Sequence, residues 1–414
     1  MNSCMRTLVI ALMVVYAHAR VEISCSAFLY GQNDWQLNGT TSHCIEEVGR
    51  VRQNCGGTKL NFVITQFWID KSNNGTIDSF STKVGLNVVP VNTSNLAIFT
   101  EGMTECFVAA IQMGFTTLEV TPHLDDGMGR GGWRNALIMN PLRRYDGVYS
   151  YYDIMIKPLV TALISAVGEI PNISIFMSMQ GEMNAMLWRY PVEWLRLTKS
   201  IKCMLPNNAK TGLSVNFNKL CGDYCNPQVV KSFNLPAVYK LLNSIDFLGM
   251  SSYPITSVIP ALDDFQTGVF PLVDEFKMLG VDFAKLVNRP NFELHFSEFG
   301  NGGAACSGGP AATPSAAVGC PYFGIFGDFQ SVTNPWASTQ MKDFITKYYQ
   351  QATRWASGGT GPTFKVTNVY IWNVASWDVT GIYHSSYNEQ GSYVVPGVVA
   401  ALKEWNDHGV VKGV

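Results

Sequence analysis

The chain has 414 residues, of which 47 % are hydrophobic and 14 % are charged, and its formal net charge is −2. This composition supplies enough apolar side chain for a large core, so it excludes a globally disordered protein. Acidic and basic residues are mixed along the chain without a basic stripe, so a nucleic-acid-binding surface is not expected.

The amino-terminal segment has the features of a secretory signal. Arg6 precedes an apolar run from Leu8 to Tyr16, and Ala17-His18-Ala19 matches a small-x-small cleavage site. The apolar run is too short to cross a bilayer, so a membrane anchor is the weaker reading. We therefore expect residues 1–19 to be removed, and residues 20–414 to form one extracellular domain without membrane contact.

Glycan acceptors and cysteines agree with secretion. Asn-x-Ser/Thr triplets occur at four positions, Asn38, Asn74, Asn92 and Asn172. Nine cysteines remain after the signal is removed, and in an oxidising compartment most of them should pair. Because nine is odd, at least one thiol stays free or pairs with another chain.

Two cysteine pairs stand out by position. Cys306 and Cys320 flank a loop rich in Gly, Ala and Pro, and they are the first disulfide that we expect. Cys221 and Cys225 could close a small loop or pair elsewhere. A zinc site at Cys221 and Cys225 is disfavoured, because no matching Cys/His pair lies nearby in the sequence.

The rest of the chain alternates between strand and helix patterns eight times. The predicted strands are Val21–Tyr30, Leu60–Ile69, Thr116–Thr121 (ended by Pro122), Ile173–Met179, Gly212–Phe217, Asp246–Ser251, Phe292–Phe296 and Val366–Asn373. The predicted helices are Ser42–Asn54, Thr100–Met113, Ser150–Val167, Pro191–Met204, Leu235–Asn243, Pro271–Val287, Ser338–Ser357 and Val395–Asp407. Such alternation predicts an α/β fold with parallel strands, and eight units fit a closed (β/α)8 TIM barrel.

Extended loops are expected at the carboxyl-terminal face of this barrel. Asp70–Phe99 is long and polar and is interpreted as an insertion near the barrel mouth. Gly300–Asn334 is rich in small residues and is expected to cover the rim. Active sites of this fold lie at the carboxyl ends of the strands, so the polar residues that follow each strand are the candidates for chemistry.

Two glutamates occupy such positions. Glu182 follows strand four and Glu298 follows strand seven, each after an apolar run. Hydrolysis of a glycosidic bond with retention needs two carboxyl groups roughly 5 Å apart, one protonated and one ionised. The alternative, that both are surface ion-pair partners, fits the mouth of a barrel poorly.

Five sequence pieces, in order, carry a family resemblance. They are Pro122-His123 with Trp133-Arg134, Gly181-Glu182-Met183, Ser252-Tyr253-Pro254, Ser297-Glu298-Phe299-Gly300, and Trp372. Over the whole mature chain, the sequence resembles the clan A glycoside hydrolases, and among them most the endo-β-mannanases of glycoside hydrolase family 113. The resemblance implies Glu182 as general acid/base, Glu298 as nucleophile, Tyr253 as a hydrogen-bond partner of the nucleophile and Trp372 as a sugar-stacking platform. It implies no cofactor.

One position departs from the clan pattern. Many members have Asn directly before the acid/base, where its amide contacts the sugar 2-hydroxyl, but this chain has Gly181. Gln180, Asn184 or Asn216 could replace that contact, or it could be absent. The departure concerns substrate specificity more than the reaction, since the 2-hydroxyl contact strengthens in the transition state.

The remaining substrate-binding candidates also follow strands. Besides Tyr253 and Trp372 they are Trp68, His123, Trp133, Arg134, Asn184, Asn216 and Trp377. His123 could instead be structural, and Trp68, Trp133 and Trp377 could be packing residues. A metal site at His123, Asp125 and Asp126 matches no ligand spacing that we can justify. By period two, Glu293 and His295 should face away from Glu298 and be buried under the helices.

These residues predict a secreted, retaining endo-β-glycosidase with a β-linked polysaccharide as substrate, mannan-type first. We expect a monomer that needs no metal. A catalytically silent carbohydrate-binding barrel of the extracellular matrix is the alternative of a different class. A transglycosylase would use the same glutamates with a sugar as acceptor.

Overall fold

The computed structural model describes residues 20–73, 75–168, 170, 172–301, 313–318, 338–361, 363–372, 379–382 and 394–412. Several predictions fall outside these ranges: the signal segment, Asn74, Trp377 and the Cys306–Cys320 pair.

Ten strands are present in the described residues. They are β1 (Ile23–Leu29), β2 (Lys59–Ile69), β3 (Ser79–Val84), β4 (Asn87–Pro90), β5 (Thr117–Asp126), β6 (Ser174–Gly181), β7 (Lys210–Val215), β8 (Phe247–Ser252), β9 (Glu293–Phe299) and β10 (Val366–Ile371). The α-helices are Gln32–Trp35, His43–Asn54, Thr93–Gln112, Lys157–Val167, Asn184–Arg189, Pro191–Met204, Pro227–Val230, Leu235–Ser244, Phe270–Met278, Phe283–Val287, Pro314–Val318, Thr339–Ser357 and Pro396–Lys403. Short 3-10 or π turns cover Arg134–Ala136, Tyr152–Ile156, Leu262–Val269 and Glu404–His408.

Eight of the strands close into a parallel barrel. Their order is β1, β2, β5, β6, β7, β8, β9 and β10, and β1 pairs with both β2 and β10. The predicted (β/α)8 barrel is therefore confirmed. The predicted insertion after β2 contains the antiparallel hairpin β3–β4, which pairs with Phe67–Ile69 at the carboxyl end of β2. The insertion thus lies near the barrel mouth, as expected.

Three boundaries differ from the sequence prediction for identifiable reasons. The helix predicted from Thr100 begins at Thr93, because Asn92 caps it with hydrogen bonds from two backbone N–H groups. β5 continues through Pro122 to Asp126. Within the described strands β5 pairs with β6 only as far as Val120, so the missing N–H of Pro122 interrupts no ladder on that side. The helix predicted over Pro271–Val287 is two helices separated by Gly280, which has φ 72.

Three disulfides stabilise the described part of the chain. They join Cys25 to Cys55, Cys44 to Cys106 and Cys221 to Cys225, so the small-loop alternative for the last pair is the one adopted. Cys203 is a free, exposed thiol. Such usage fits an oxidising compartment. In the residues that the structure covers, no helix has the length and apolarity needed to cross a membrane.

A polar cluster fills the barrel interior toward the amino ends of the strands. His295 Nδ1 lies 2.8 Å from Glu119 Oε2, and both side chains are fully buried. Because β9 and β5 lie opposite each other in the barrel, this contact crosses its interior. The prediction that Glu293 and His295 are buried under the helices is therefore wrong, since Glu293 is partly exposed and contacts His295 on this inner side. β9 contains a bulge between Phe296 and Glu298, so the period-two argument from Glu298 does not carry across it.

Two further residues of this cluster contact the other ring nitrogen of His295. His295 Nε2 lies 3.2 Å from Glu293 and 3.0 Å from the Asn368 amide. Burial disfavours the charged imidazole, but Glu119 and Glu293 outweigh it and raise the pKa of His295. Both ring nitrogens therefore have partners within the fold.

Candidate active site

The two candidate glutamates lie at the carboxyl ends of the strands, and both are buried. Glu182 follows β6 directly, and Glu298 is the penultimate residue of β9. Barrel geometry brings these strand ends to one face, where the resemblance places the reaction.

The turn at Glu182 is held in an unusual backbone conformation. Glu182 has φ 54, in the left-handed region that residues with a side chain rarely adopt. Its N–H donates to the Ser214 carbonyl at 2.8 Å. The side chain of Gln180 holds this turn through both of its polar atoms. Its Nε2 donates to the Ser214 carbonyl, and its Oε1 accepts from the Met183 N–H. Such strain at a carboxyl-bearing position is typical of functional sites. Gln180 thus has a structural role here.

The Glu182 carboxyl group accepts three hydrogen bonds. Arg134 Nη1 donates to one oxygen at 3.0 Å. The Asn216 amide and the Ser251 hydroxyl donate to the other oxygen, each at 2.6 Å. These donors come from three different segments and fix the orientation of the carboxyl group.

Glu298 is more sparsely surrounded. Tyr253 donates its hydroxyl hydrogen to Oε2 at 2.8 Å, and His123 Nε2 lies 3.5 Å from Oε1. Burial, and next the charge of Glu182, raise the pKa of Glu298 to about 8. Arg134 and Tyr253 oppose this shift. The charge of Glu182 therefore acts on Glu298, and coupling of this kind can separate the protonation of two carboxyl groups.

Arg134 is buried and bridges two acidic residues. Its Nε and Nη2 donate to Asp125 Oδ1 at 3.0 and 2.7 Å, while Nη1 binds Glu182. Burial lowers the pKa of Arg134, but the charges of Asp125, Glu182 and Glu298 outweigh it and raise the pKa. Arg134, which was predicted to bind substrate, therefore forms a charged bridge between Asp125 and the candidate acid/base Glu182.

His123 explains the departure at Gly181. A Cβ added to Gly181 would lie 2.3 Å from His123 Cδ2, so the imidazole occupies the space that a side chain would need. Burial, and then Arg134, hold the pKa of His123 well below its usual range, so the ring is neutral. Among the described residues, neither ring nitrogen has a hydrogen-bond partner. A neutral imidazole so placed can offer one donor and one acceptor to a ligand.

The aromatic candidates occupy three different environments. Trp372 packs against His123 with ring centroids 5.7 Å apart, and its Nε1 is buried without a partner in the described structure. Trp68 is buried under Gly132, whereas Trp133 is exposed at the mouth. Of these three tryptophans, Trp372 is the one whose ring packs against His123 beside the carboxyl pair.

Seven of the predicted residues come together, and an eighth, Asn184, lies beside them. Direct contacts link Glu182 to Arg134 and Asn216, and they link Glu298 to Tyr253 and to His123, against which Trp372 packs. Asn184 instead supports Asn216, since its Oδ1 accepts from the Asn216 N–H, and its own N–H donates to Asn135. Ser251 and Asp125 contact the central residues but were not selected from sequence. Their positions at strand ends are the signal that could have identified them.

The described residues give no support to a metal site. Asp125 is committed to Arg134, and Asp126 accepts backbone N–H groups of Met128, Arg130 and Gly132. No group of three or more His, Cys, Asp or Glu side chains in the described ranges is arranged to hold a metal ion.

Solved structures that are similar to this chain include glycoside hydrolases. The chain is similar to a GH113 β-1,4-mannanase solved as a complex, with a TM-score of 0.51, 10 % identity, and coverage of 94 % of this chain and 99 % of that one. It is also similar to a family 5 mannosidase from Rhizomucor miehei, with a TM-score of 0.44, 11 % identity and 94 % coverage of each chain. No protein-family model and no curated protein sequence matches the chain. At such identities the first likeness establishes the shared barrel fold, and the second adds nothing to it.

Proposed function

We propose that this protein is a retaining endo-β-glycosidase, with Glu182 as general acid/base and Glu298 as nucleophile. The observation that carries the proposal is the buried pair of carboxyl groups at two strand ends, where burial and then the charge of Glu182 raise the pKa of Glu298. The contact from Tyr253 to Glu298 supports the nucleophile role, and the three donors on Glu182 fix it for proton transfer.

The proposed reaction is a double displacement. A Glu298 oxygen attacks the anomeric carbon, the glycosidic C–O bond breaks, and the leaving oxygen takes the proton from Glu182. Glu182, now ionised, removes a proton from water, whose oxygen attacks the same carbon and releases Glu298. Two inversions at one carbon leave the configuration unchanged.

The protein has to control which of the two carboxyl groups carries the proton. With the pKa of Glu298 raised to about 8, the pair of carboxyl groups retains one proton at neutral pH. Attack by Glu298 requires that proton on Glu182. We infer that an entering sugar shifts the balance, because it displaces water and brings the leaving oxygen to Glu182. Coupled carboxyl groups that share one proton permit such an exchange.

Substrate, location and domain limits belong to the same proposal. A β-linked polysaccharide, mannan-type first, is supported by the fold shared with a β-1,4-mannanase. Secretion after loss of residues 1–19 is supported by the three disulfides and by the exposure of Asn38, Asn92 and Asn172. The mature chain, residues 20–414, acts as one domain and as a monomer.

A panel of β-linked polysaccharides tests the proposal. The secreted protein is incubated with each polymer, mannan included, and new reducing ends are measured, with Glu298→Ala as the matched control. Release by the wild type alone supports the proposal and identifies the substrate. Longer products with no net gain in reducing ends would identify a transglycosylase. Binding without any product would favour a silent binding barrel.

A further inference from the structure

A second group of side chains lies at the barrel mouth, outside the central cluster. Trp133 is 39 % exposed and Tyr224 is 58 % exposed. Lys219 lies between them, with Nζ 5.5 Å from the Trp133 ring centroid and 5.3 Å from that of Tyr224. We call these three residues the outer platform. Cation–π attraction joins them into one continuous surface.

The loop that carries the platform is fixed to the barrel. The Cys221–Cys225 disulfide closes it, and Glu275 accepts backbone N–H groups from Lys219, Leu220 and Cys225 at 2.5, 2.7 and 3.1 Å. The Lys219 backbone has φ 54, a conformation that such fixation can maintain. The loop therefore presents exposed rings rigidly, although exposed rings add nothing to the core.

The platform borders the Glu182 side of the carboxyl pair. Asn135 donates its amide to the Lys219 carbonyl at 2.8 Å and follows Arg134, which binds Glu182. Gly222 packs on Ala185, and a Cβ added to Gly222 would lie 2.6 Å from the Ala185 Cβ. In the proposed reaction the acid/base contacts the leaving group. The platform consequently lies where the leaving part of the substrate would extend.

The chemistry of the platform suits a neutral sugar. Flat exposed rings can pack against the C–H faces of a pyranose, and an ammonium group can donate to its hydroxyl oxygens. Asp223 lies 3.6 Å from Lys219 Nζ, which offsets the positive charge. An acidic sugar would therefore gain little from Lys219.

We propose that Trp133, Lys219 and Tyr224 form a subsite for a neutral sugar on the leaving-group side of the substrate chain. The inference rests on the proposed glycosidase function and extends it beyond the bond that is cleaved. It assigns a binding role to Lys219 and Tyr224, which the sequence did not single out. Rigid aromatic side chains are typical anchors of binding surfaces.

The test compares two substrates that share the sugar on the Glu298 side. One is an oligosaccharide of the polymer that the wild type cleaves, and the other is a nitrophenyl glycoside, which has no leaving sugar. Tyr224→Ala should lower the ratio of the two kcat/KM values about tenfold, and Trp133→Ala at least as much. Tyr239→Ala, on the outer helix Leu235–Ser244, is the control and should leave the ratio unchanged.

Suppose that the wild type is active and that the ratio of the two kcat/KM values is unchanged in both Tyr224→Ala and Trp133→Ala. That result would overturn the subsite and leave the glycosidase proposal intact. If the wild type cleaves no polymer of the panel, the glycosidase proposal fails, and calorimetric titration of mannan and xylan oligosaccharides then tests the outer platform. Binding that weakens about tenfold in Tyr224→Ala but not in Tyr239→Ala would support it. Equal binding by all variants, or no binding, would overturn it.

Discussion

Two buried histidines, one at each end of the barrel interior, show how this fold separates structure from chemistry. His295, toward the amino ends, has both ring nitrogens occupied by Glu119, Glu293 and Asn368, and its pKa is raised. His123, at the carboxyl ends, has no hydrogen-bond partner in the described residues, and its pKa is lowered.

The two histidines differ in whether the fold supplies hydrogen-bond partners for their ring nitrogens. A buried polar group without a partner costs roughly 1–3 kcal/mol, so it persists where a ligand completes it. Around His295 the carboxylates balance the imidazole, which makes that cluster part of the framework. Around His123, burial and the positive charge of Arg134 disfavour a charged imidazole. The raised pKa of Glu298 favours the uncharged form of the carboxyl group beside the ring. We therefore expect changes at the amino ends to alter stability and changes at the carboxyl ends to alter activity.

The largest effect is expected from Glu298→Gln. Loss of the nucleophile should lower kcat by about 10⁴-fold or more. The same change should raise Tm at pH 7. A carboxyl group with a folded-state pKa of about 8 opposes folding once pH exceeds its unfolded value, and Gln removes that penalty. Kinetics and thermal melts at pH 7 measure both effects, and a variant with near-normal kcat would contradict the assignment.

At the other end of the barrel, His295→Leu should act on stability. It leaves Glu119 buried without its partner, which costs about 3–5 kcal/mol of unfolding free energy. Because the pKa of His295 is raised, its stabilisation is fully present below pH 6.5 and is lost as pH rises through the folded-state pKa. Urea unfolding at several pH values measures the loss. Adding Glu119→Gln should restore part of it, and no difference between wild type and variant would refute the framework role.

His123→Ala should reverse this pattern. We expect kcat/KM to fall by about 10²-fold, since a hydrogen-bonding contact to the substrate is lost at the reacting sugar. The unfolding free energy should fall by less than in His295→Leu, because the loss is confined to the cavity that the ring leaves and no hydrogen bond within the fold is broken. Gly181→Ala, which displaces the same ring, should lower kcat/KM similarly. If His123→Ala destabilises the protein as much as His295→Leu does, the contrast between the two histidines is wrong.

The smallest effect is a shift in pH dependence. kcat/KM should decline above about pH 8, where the carboxyl pair loses the proton that the leaving group needs. Tyr253 lowers the pKa of Glu298 through its hydrogen bond. Tyr253→Phe should therefore move the alkaline limb to higher pH, by up to about one pH unit. A limb that stays in place or moves lower would argue against this role of Tyr253.

The barrel and the two glutamates could be predicted because their signals are local. Strand–helix alternation places Glu182 and Glu298 at strand ends, whatever the packing of the loops. The face of His295 could not be predicted, because a one-residue bulge in β9 changes the alternation.

The contacts around the carboxyl groups depend on tertiary structure in the same way. Arg134 bridges Glu182 and Asp125, and the ring of His123 occupies the space that a side chain at Gly181 would need. Both contacts join residues from neighbouring strands and loops. Lys219 and Tyr224 form a surface with Trp133 only after a disulfide and Glu275 fix their loop. Sequence spacing carries no record of such pairings.

The most direct test of the central claim is covalent trapping. An activated 2-deoxy-2-fluoro-β-glycoside of the substrate sugar, incubated with the wild type, slows the second displacement so that a glycosyl–enzyme accumulates. Mass spectrometry of the intact and digested protein should show one fluorosugar, on the peptide that contains Glu298, with loss of activity in parallel. An adduct on Glu182, or an active enzyme without any adduct, would contradict the assignment of the two carboxyl groups.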